Sequence, residues 1–478
     1  MLICKLPHKL IKHVFLFFCV ISKVWAQDNI GYVNGKYAGI NSVYLNPTNL
    51  LNSKIFIDVQ LSGLGVFAHN NIYYLPKKNF SPISGQFANP IQNLKEEKKT
   101  GFVNLKIHGP AVGVSIDNFS FGLFVNGRVM GEAYVSKKLG SYLLNRLNKK
   151  PLENQQLKNE KAYLGVGAWT EFGFNMGYMY KRHHYSFQNI GFNLKYLIGI
   201  SHLNGYLQDL DASTMSNKKI ENIHFKASYQ LAEPTWKAGK GMAVDVGWSF
   251  SKMLEPVSNY YPNNKHANGC SHIDYLYKIG IAITDIGFIN YNTKSSAKTI
   301  EYQDETINLD STKIASISPN SIDQNISNLG KGLSVSSKDR FMTILPIGLN
   351  AQYDYNFEND IYLNSTLIIG PRVLSNQIKR PSILALTPRY DKKYFGIGIP
   401  VSLYNWKYPQ IGFSIRLGNN LIIGTDRASF LIGKIRDTYG ADLYFHLKFA
   451  IFKHCSKRKK IIKTIYDCIT KNQAFWIE

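Results

Sequence analysis

A strict alternation of apolar residues with small or polar ones constrains the fold of this chain most. One face of a predicted strand carries Phe395, Ile397, Ile399, Val401 and Leu403, and the other carries Gly396, Gly398, Pro400 and Ser402. The pattern recurs in Ile411, Phe413, Ile415 and Leu417, in Leu443, Phe445, Leu447, Phe449 and Ile451, and earlier in Phe121, Leu123 and Val125. Because successive side chains of a strand point to opposite faces, these runs predict strands with one apolar face.

Strands of this kind occur both in soluble β-sandwiches and in membrane β-barrels. Several predicted strands are long, whereas strands of globular proteins cluster near ~5–6 residues. Predicted short connections (117–118, 181–186, 356–360, 391–393 and 419–420) also alternate with long ones (76–100, 136–161, 204–222, 254–271 and 302–340). Outer-membrane barrels have short turns at one end and long loops at the other. We therefore predict an all-β, transmembrane, antiparallel up-and-down β-barrel of about 14 strands, or about 16, with an N-terminal plug segment.

The composition agrees with this prediction. Hydrophobic residues make up 45% and charged residues 18% of the chain, which excludes a disordered protein. Beyond the N-terminus no run reaches the ~18 apolar residues that a transmembrane helix needs. Only helices and closed barrels satisfy every backbone polar group in lipid, so the chain is either soluble or a barrel. Its 30 tyrosines and 27 phenylalanines suit the aromatic girdles of a barrel.

The N-terminus has the pattern of a secretory signal peptide. Lys5, Lys9 and Lys12 precede an apolar core over 14–21, and Val24 and Ala26 supply small residues before a cleavage site. We therefore predict a signal peptide over 1–26, a plug or hatch segment over 27–53, a barrel over 54–453 and a basic tail over 454–478. Export of this kind predicts a location in the cell outer membrane.

Two segments outside the strands have helical spacing. Tyr142, Leu143, Leu144 and Leu147 predict a local helix within the loop 139–157. In the tail, a basic run over 457–460 precedes Ile461, Ile462, Ile465 and Ile469. The tail is either a short amphipathic helix on a membrane surface or partner, or a solvated extension.

The chain is strongly basic, with a formal charge of +24. Loss of the four signal-peptide lysines would leave +20. Export argues against a nucleic-acid partner, which leaves loop solubility, anionic lipid or an anionic partner. After cleavage, Cys270, Cys455 and Cys468 remain, at spacings unlike those of metal sites.

Four cations near the late strands are candidate ligand-binding residues: Arg372, Arg389, Arg416 and Lys448. In a lumen they would form a basic stripe that binds a carboxylate or phosphate end of a ligand. The alternative, which we favour, is a structural network with carboxylates such as Asp354 and Asp442, because buried charges must be paired.

Asn46 and Pro47 also allow two interpretations. They either anchor a plug that moves to open a channel, or form an ordinary turn, since Asn-Pro is a common turn signal. His108, His183, His184 and His202 are scattered, and no spacing predicts a metal site or a cofactor. No nucleophile or phosphate-binding motif stands in a supporting context, so we expect a non-enzyme.

Several motifs, taken together, give the chain a family resemblance. These are 39–47, with Thr48 in place of the usual Ala, Thr284-Asp285-Ile286-Gly287-Phe288, Leu345-Pro346, Leu349-Asn350, Asp354-Tyr355, Thr387-Pro388-Arg389-Tyr390, Gly424-Thr425-Asp426 and Gly440-Ala441-Asp442-Leu443-Tyr444 with Lys448. The chain resembles an uncharacterised family of Gram-negative outer-membrane barrels related to long-chain fatty-acid transporters and to accessory barrels of type IX secretion. The resemblance implies a barrel in which Asn46 and Pro47 belong to a plug.

Three functional hypotheses follow. The first is passive transport of small hydrophobic or amphipathic molecules, with outer-membrane lipid around the barrel and a hydrophobic ligand inside it. The second is an accessory subunit of a secretion or assembly complex, with protein partners. The third is a lipid-modifying barrel enzyme. A lateral gap beside a plug would favour transport, a closed lumen with large ordered loops would favour a partner role, and a Ser–His pair at the lipid boundary would favour the enzyme.

Overall fold

The structure is a computed structural model of the full chain. It describes residues 29–74, 91–92, 98–147, 155–215, 219–258, 260–261, 263, 272–293, 295–308, 333–374, 377–428 and 439–452. The predicted signal peptide, the predicted tail and the three cysteines Cys270, Cys455 and Cys468 lie outside the described residues.

Fourteen antiparallel strands form a closed barrel, which confirms the predicted fold class. Each strand pairs with its neighbours in sequence, and the last strand closes on the first, from Ile57 opposite Ile451 to His69 opposite Gly440. Five strands contain short breaks, so that their parts are given separately. The strands are β1 Ile57–Asn70, β2 Lys99–Ile116, β3 Phe119–Val135, β4 Gln155–His183, β5 Ser186–Met215, β6 Lys219–Ala232 with Gly239–Met253, β7 Tyr275–Tyr291 with Ser295–Asn308, β8 Leu333–Lys338 with Phe341–Ile344 and Gly348–Asn356, β9 Ile361–Ile369, β10 Ile383–Lys392, β11 Phe395–Gly398 with Val401–Tyr404, β12 Tyr408–Ile411 with Phe413–Leu417, β13 Leu421–Thr425 and β14 Gly440–Ile451.

The alternation divides the wall as predicted. In β11, Phe395 and Val401 are exposed on the outside, whereas Gly396 and Ser402 are buried. Large apolar side chains are exposed around the barrel, including Leu64, Ile107, Leu123, Phe172, Leu194, Val246, Ile281, Tyr353, Leu386, Ile423 and Phe449. Buried polar and charged side chains occupy the inward positions of the same strands. This is the division that a lipid-facing wall requires.

The predicted short connections are confirmed, and they define one end of the barrel, which we call the short-turn end. Two predicted long loops are corrected. The segment 204–222 is mostly strand, because β5 and β6 continue to a connection at 216–218. The connection 254–274 lies at the short-turn end, since Val257 N donates to the carbonyl of His184 in the β4–β5 turn at 2.7 Å.

Strands on one side of the barrel extend far past the apolar wall. β4 has 29 residues and β5 has 30, whereas ~9–11 residues cross a bilayer. Polar sequence in 204–222 is compatible with strand structure here, because this part lies beyond the apolar wall. The upper parts of β6, β7 and β8 continue the same extension.

Helical structure is limited to a few places in the described part of the chain. The helix α1 spans Ile30–Val33, and α2 spans Lys137–Leu147, inside the predicted loop. Leu139 and Tyr142 of α2 pack against Leu157, Leu210 and Ala212 of the extended strands. None of the helices in these described segments is long and apolar enough to cross a membrane.

Replacing Leu123 with Arg tests the lipid-facing wall. Leu123 is 57% exposed on the outside of β3, so we expect the charge to destabilise the folded barrel in vesicles by about 2–4 kcal/mol. The control is Tyr394→Arg, because Tyr394 is equally exposed but lies in a turn of the short-turn end. Denaturant titration in lipid vesicles, followed by heat-shift gels, measures both. Equal destabilisation by the two variants would contradict a lipid-facing wall at Leu123.

Candidate functional site

The lumen holds the chain that precedes β1. Residues 29–56, which we call the lumen segment, contain α1 and two 3-10 helices, Gly39–Tyr44 and Pro47–Leu50. Apolar residues of the lumen segment, among them Ile40, Val43, Leu45, Leu50, Leu51 and Ile55, are 0–2% exposed. The segment therefore fills the inside of the barrel as a small apolar core.

Asn46 makes a local turn and also contacts the barrel wall. Its Oδ1 accepts a hydrogen bond from Thr48 N at 3.0 Å, which starts the helix Pro47–Leu50. Its Nδ2 donates to the carbonyls of Trp248 on β6 at 3.3 Å and Ile281 on β7 at 3.4 Å. Asn46 thus forms a local turn and also attaches the lumen segment to the wall. Movement of Asn46 and Pro47 as a plug stays a prediction.

Glycines on the inner face of the wall allow this close contact. A Cβ at Gly247 would lie 2.3 Å from Asn46 Oδ1, and one at Gly191 would lie 3.0 Å from the carbonyl carbon of Pro47. A Cβ at Gly122 would lie 2.6 Å from Ile40 Cδ1. The three glycines belong to β3, β5 and β6. A larger residue at any of these positions would push the lumen segment away from the wall.

Asparagine side chains of the wall satisfy the irregular backbone of the lumen segment. Asn175 donates to Pro47 O at 3.0 Å, Asn193 to Val43 O at 3.0 Å and Asn350 to Leu45 O at 2.8 Å. Asp426 accepts from the backbone N–H groups of Ile30 and Gly31 at 2.9 and 3.1 Å. A buried non-helical backbone needs such partners, because an unpaired polar group costs about as much as a lost hydrogen bond.

The four predicted cations lie in the lumen or at its edge, and each has a carboxylate partner. Arg389 is 2.7 Å from Asp354, Arg416 is 2.8 Å from Asp391, Lys448 is 3.1 Å from Asp58 and Arg372 is 2.6 Å from Glu132. Asp354 was the carboxylate that the network interpretation named. Asp442 instead accepts from Asp426 N at 2.7 Å.

The structure places three of these cations near one another and Arg372 apart, since Arg389 and Arg416 line one small cavity beside Asp391. Lys448 donates to the carbonyls of Tyr37 and Ala38 at 3.0 and 2.9 Å, and Arg416 lies over the ring of Tyr37 at 4.7 Å. Arg389 contacts Tyr275, and Arg372 crosses to Glu132 on β3. Arg416 and Lys448 therefore hold the lumen segment in place. A ligand-binding role for any of the four stays a prediction.

A charge network in the middle of the lumen was missed from the sequence. Arg128 Nη1 is 2.8 Å from Glu171 and 2.9 Å from Asp285, and Lys195 Nζ is 2.7 Å from Asp245 and 2.8 Å from Asp285. Asp285 has φ 62 at a shift in the register of β7, and its N–H donates to Asp245 Oδ1 at 2.7 Å. This left-handed residue turns its carboxylate toward Arg128 across the lumen. The sequence did contain a signal for this network: Asp285 belongs to the Asp-Ile-Gly motif, and the other charged residues lie at inward positions of strands.

A concavity of about 810 Å³ lies on the outer face of the wall over β1 to β6. On the outside it is lined by Leu61, Leu123, Phe172, Tyr196 and Met242, and at its base by the lumen-facing residues Gln60, Ala111, Phe124 and Lys195. We call it the wall crevice. Pairing of β1 with β2 passes from Gln60 opposite Ala111 to Gly63 opposite His108, so Leu61 and Pro110 fall in the interruption.

Phe124 lies behind the wall crevice, on the lumen side of β3. Its ring occupies the space over Gly173, where a Cβ would lie 2.1 Å from ring carbons. Tyr44 of the lumen segment packs edge-on against Phe124 with ring centroids 5.1 Å apart. Phe124 is 2% exposed and lies on the lumen side of the paired strands β3 and β4, where it touches the lumen segment.

Lys36 attaches the lumen segment at the short-turn end. Its Nζ lies 3.6 Å from Asp274 and 3.5 Å from Asp360 and donates to the Tyr362 hydroxyl. Burial lowers the pKa of Lys36 to about 8, and the charge of Lys54 acts in the same direction, whereas Asp274 opposes them. Removal from water therefore outweighs the two ion pairs.

Comparisons with known proteins give a family and a shared general form. Residues 47–426 match a family described as a family of unknown function (DUF5723). No curated protein matches the chain. A solved structure of the TodX deltaS2S3 mutant monoaromatic hydrocarbon channel is 8% identical, with a TM-score of 0.42, over 91% of this chain and 98% of that chain.

Two further solved structures are similar over most of their length. The toluene transporter TodX of P. putida is 10% identical, with a TM-score of 0.29, over 87% of this chain and 95% of that chain. The outer membrane protease OmpT of Escherichia coli is 8% identical, with a TM-score of 0.19, over 83% and 95%. Likeness at this level assigns no function. The predicted relation to fatty-acid transporters and secretion barrels stays a prediction.

Replacing Gly247 with Ala tests the docking of the lumen segment. The new Cβ would meet Asn46 and Pro47, so we expect a loss of about 1–3 kcal/mol in stability and faster cleavage of the segment by protease. Gly205→Ala is the matched control, because a Cβ there meets nothing within 4 Å. Limited proteolysis and heat-shift gels measure both effects. Identical behaviour of the two variants would show that the segment does not rest on the wall at Gly247.

Replacing Lys36 with Met tests the buried attachment at the short-turn end through its pH dependence. The pKa of Lys36 in the folded protein, about 8, lies below the ordinary value of ~10.4, so the folded state binds fewer protons between these values. Stability from this group therefore rises with pH across that window. We expect the heat-shift midpoint of the native protein, relative to Lys36→Met, to rise between about pH 7.5 and 9.5. A falling difference would mean that the ion pairs, not burial, dominate.

Proposed function

This chain belongs to the DUF5723 family of unknown function, and on that premise we propose that it is an outer-membrane barrel for passive passage of small hydrophobic or amphipathic molecules. The apolar outer wall and the polar inner face support the location, because lipid faces one and the lumen the other. We place the short-turn end in the periplasm and the extended strands outside the cell, as is general for such barrels.

The wall crevice is the main observation that supports this proposal. Its outer lining is apolar, with Leu61, Phe172 and Met242 open to the lipid side, and its base reaches the lumen-facing Gln60 and Phe124. The interruption of pairing beside Pro110 removes hydrogen bonds that would otherwise hold β1 and β2 together. A hydrophobic molecule would therefore pass between lumen and lipid here without entering water.

Passage also requires movement of the lumen segment. Tyr44 and Phe124 are in contact, so a shift of the segment would free the Phe124 ring to leave its position over Gly173. The same shift would separate Lys448 from the carbonyls of Tyr37 and Ala38. Lys448 and Arg416 would then be available for an anionic end of a ligand, which is one of the two interpretations that the sequence allowed.

A second candidate is an accessory subunit of a secretion or assembly complex. The 29 and 30 residues of β4 and β5 exceed what a bilayer needs, and a projecting sheet of this size offers a surface for a protein partner. Affinity capture from detergent-solubilised outer membranes distinguishes the candidates. A stoichiometric partner lost on deletion of the projecting sheet would support the second one.

One Ser–His contact in the structure bears on the enzyme hypothesis. His184 Nδ1 lies 3.0 Å from Ser258 Oγ at the short-turn end. Within the described segments, no carboxylate is hydrogen-bonded to His184 to orient the ring, as a catalytic Ser–His pair requires. The pair therefore does not change the expectation of a non-enzyme.

Replacing Phe124 with Ala tests transport through the wall crevice. Removing the ring would free space on the lumen side of the wall, next to Tyr44 and close to the interrupted pairing of β1 with β2. We therefore expect a several-fold higher initial rate of entry of a fluorescent apolar probe into barrel-containing vesicles. Phe121→Ala is the control, since Phe121 lies on the outer face of the same strand and does not line the crevice. If folded Phe124→Ala protein admits the probe no faster than the control, the crevice is not a path.

A further inference from the structure

Strands β6, β7 and β8 are interrupted at the same height, where the apolar wall ends. β6 breaks between Ala232 and Gly239, and the break in β8 lies between Lys338 and Phe341. The two breaks meet across β7, because Asn292 N donates to Ala238 O at 3.3 Å and the neighbouring Tyr291 pairs with Phe341. The interruptions therefore form one line across three strands.

Three exposed cations and an exposed tryptophan lie along this line. Trp236 is 67% exposed, and Lys237, Lys240 and Arg340 are exposed beside it. We call these four residues the rim cluster. Lys237 lies in the β6 break and Arg340 in the β8 break, on either side of β7, and two strand spacings of ~4.8 Å put their backbones about 10 Å apart. Lys240 lies opposite Asn290 of β7.

The wall directly below the rim cluster is apolar. Met242 is 61% exposed, Phe288 is 37% exposed and Met342 is 51% exposed. Met242 pairs with Phe288, and Asn290 pairs with Met342, so the three side chains share the outer face of adjacent strands. The boundary between apolar wall and cations is thus one residue pair wide, as at the edge of a bilayer.

The cations of the rim cluster have no carboxylate partner among the described residues. Lys195 and Arg128 in the lumen show the contrast, because each lies within 3 Å of two carboxylate groups. Glu233 and Asp339 lie nearby in sequence, so two acids accompany three cations. The side chain of Ser295 donates to the Asp339 carbonyl at 2.7 Å, which holds the β8 break beside β7.

We propose that the rim cluster binds the phosphate groups of an outer-leaflet glycolipid whose acyl chains lie on the apolar wall below. Lys and Arg are the residues that hold phosphate, and tryptophan favours the headgroup level of a membrane. Cations on both sides of β7 fit a headgroup with two phosphates, and the projecting sheet above gives its sugars a surface. The proposal rests on the orientation proposed above, with the extended strands outside the cell.

The test uses the full-length protein in detergent and bisphosphorylated lipid A as the probe. In Lys237→Gln/Lys240→Gln/Arg340→Gln, we expect lipid A retained in native mass spectra to fall roughly tenfold or more, because charge-assisted hydrogen bonds to phosphate are lost. The matched control is Lys181→Gln/Lys392→Gln/Lys393→Gln, which removes three exposed cations at the short-turn end and is expected to retain the lipid. Heat-shift gels confirm that both variants fold.

Two other lipids test whether binding depends on the two phosphates and on the glycolipid headgroup. Monophosphorylated lipid A should bind the native protein more weakly than the bisphosphorylated form and respond less to the triple substitution. Phosphatidylglycerol should respond equally little in both triple variants. If substitution of the rim cluster reduces bound phosphatidylglycerol as much as bound lipid A, the glycolipid assignment is overturned. If it leaves lipid A binding unchanged, the site itself is overturned. Entry of the apolar probe through Phe124→Ala protein is a separate readout, so failure here and failure of the transport proposal are distinguishable.

Discussion

The hydrogen bonds that join β14 to β1 determine every other feature of this molecule. From Ile57 opposite Ile451 to His69 opposite Gly440, they close the sheet and give it an inside and an outside. Once the wall is closed, each strand must separate apolar from polar residues. The lumen then becomes a space in which every charge and every irregular backbone group needs a partner.

The lumen segment fulfils that requirement through contacts with many strands. Asn46 reaches β6 and β7, Lys448 on β14 holds the carbonyl of Tyr37, and Asp426 receives the first turn of α1. The inner glycines bring the segment close to the wall, and the contact between Tyr44 and Phe124 connects it to the wall crevice. The lumen segment, the wall and the wall crevice are therefore in continuous contact.

Period-two patterning predicted the wall and the short turns, because the alternation and the turn residues are local signals. It misplaced 204–222, since polar residues were taken for loop where strands simply leave the membrane. Arg389 and Asp354 were both named as members of a possible network, though not as a pair, whereas Lys195 and Asp245 were not named, because pairing across the lumen depends on register. Asp285 was recognised only as part of a motif, and its left-handed backbone at φ 62 has no sequence signature beyond a tolerance of Asp for that conformation.

The central claim is that the lumen segment must move for molecules to pass. A disulfide between Leu51→Cys and Gly177→Cys tests it, since a Cβ at Gly177 lies 3.7 Å from Leu51 Cβ, within the usual span of a disulfide. Ser120→Ala is included, because Ser120 Oγ would otherwise lie 2.5 Å from the new Cβ. Cys270, Cys455 and Cys468 are changed to Ser, and entry of an apolar probe into vesicles is measured before and after reduction. We predict that the oxidised protein admits little probe and that reduction restores entry. Equal entry in the fully cross-linked and reduced protein would contradict the account.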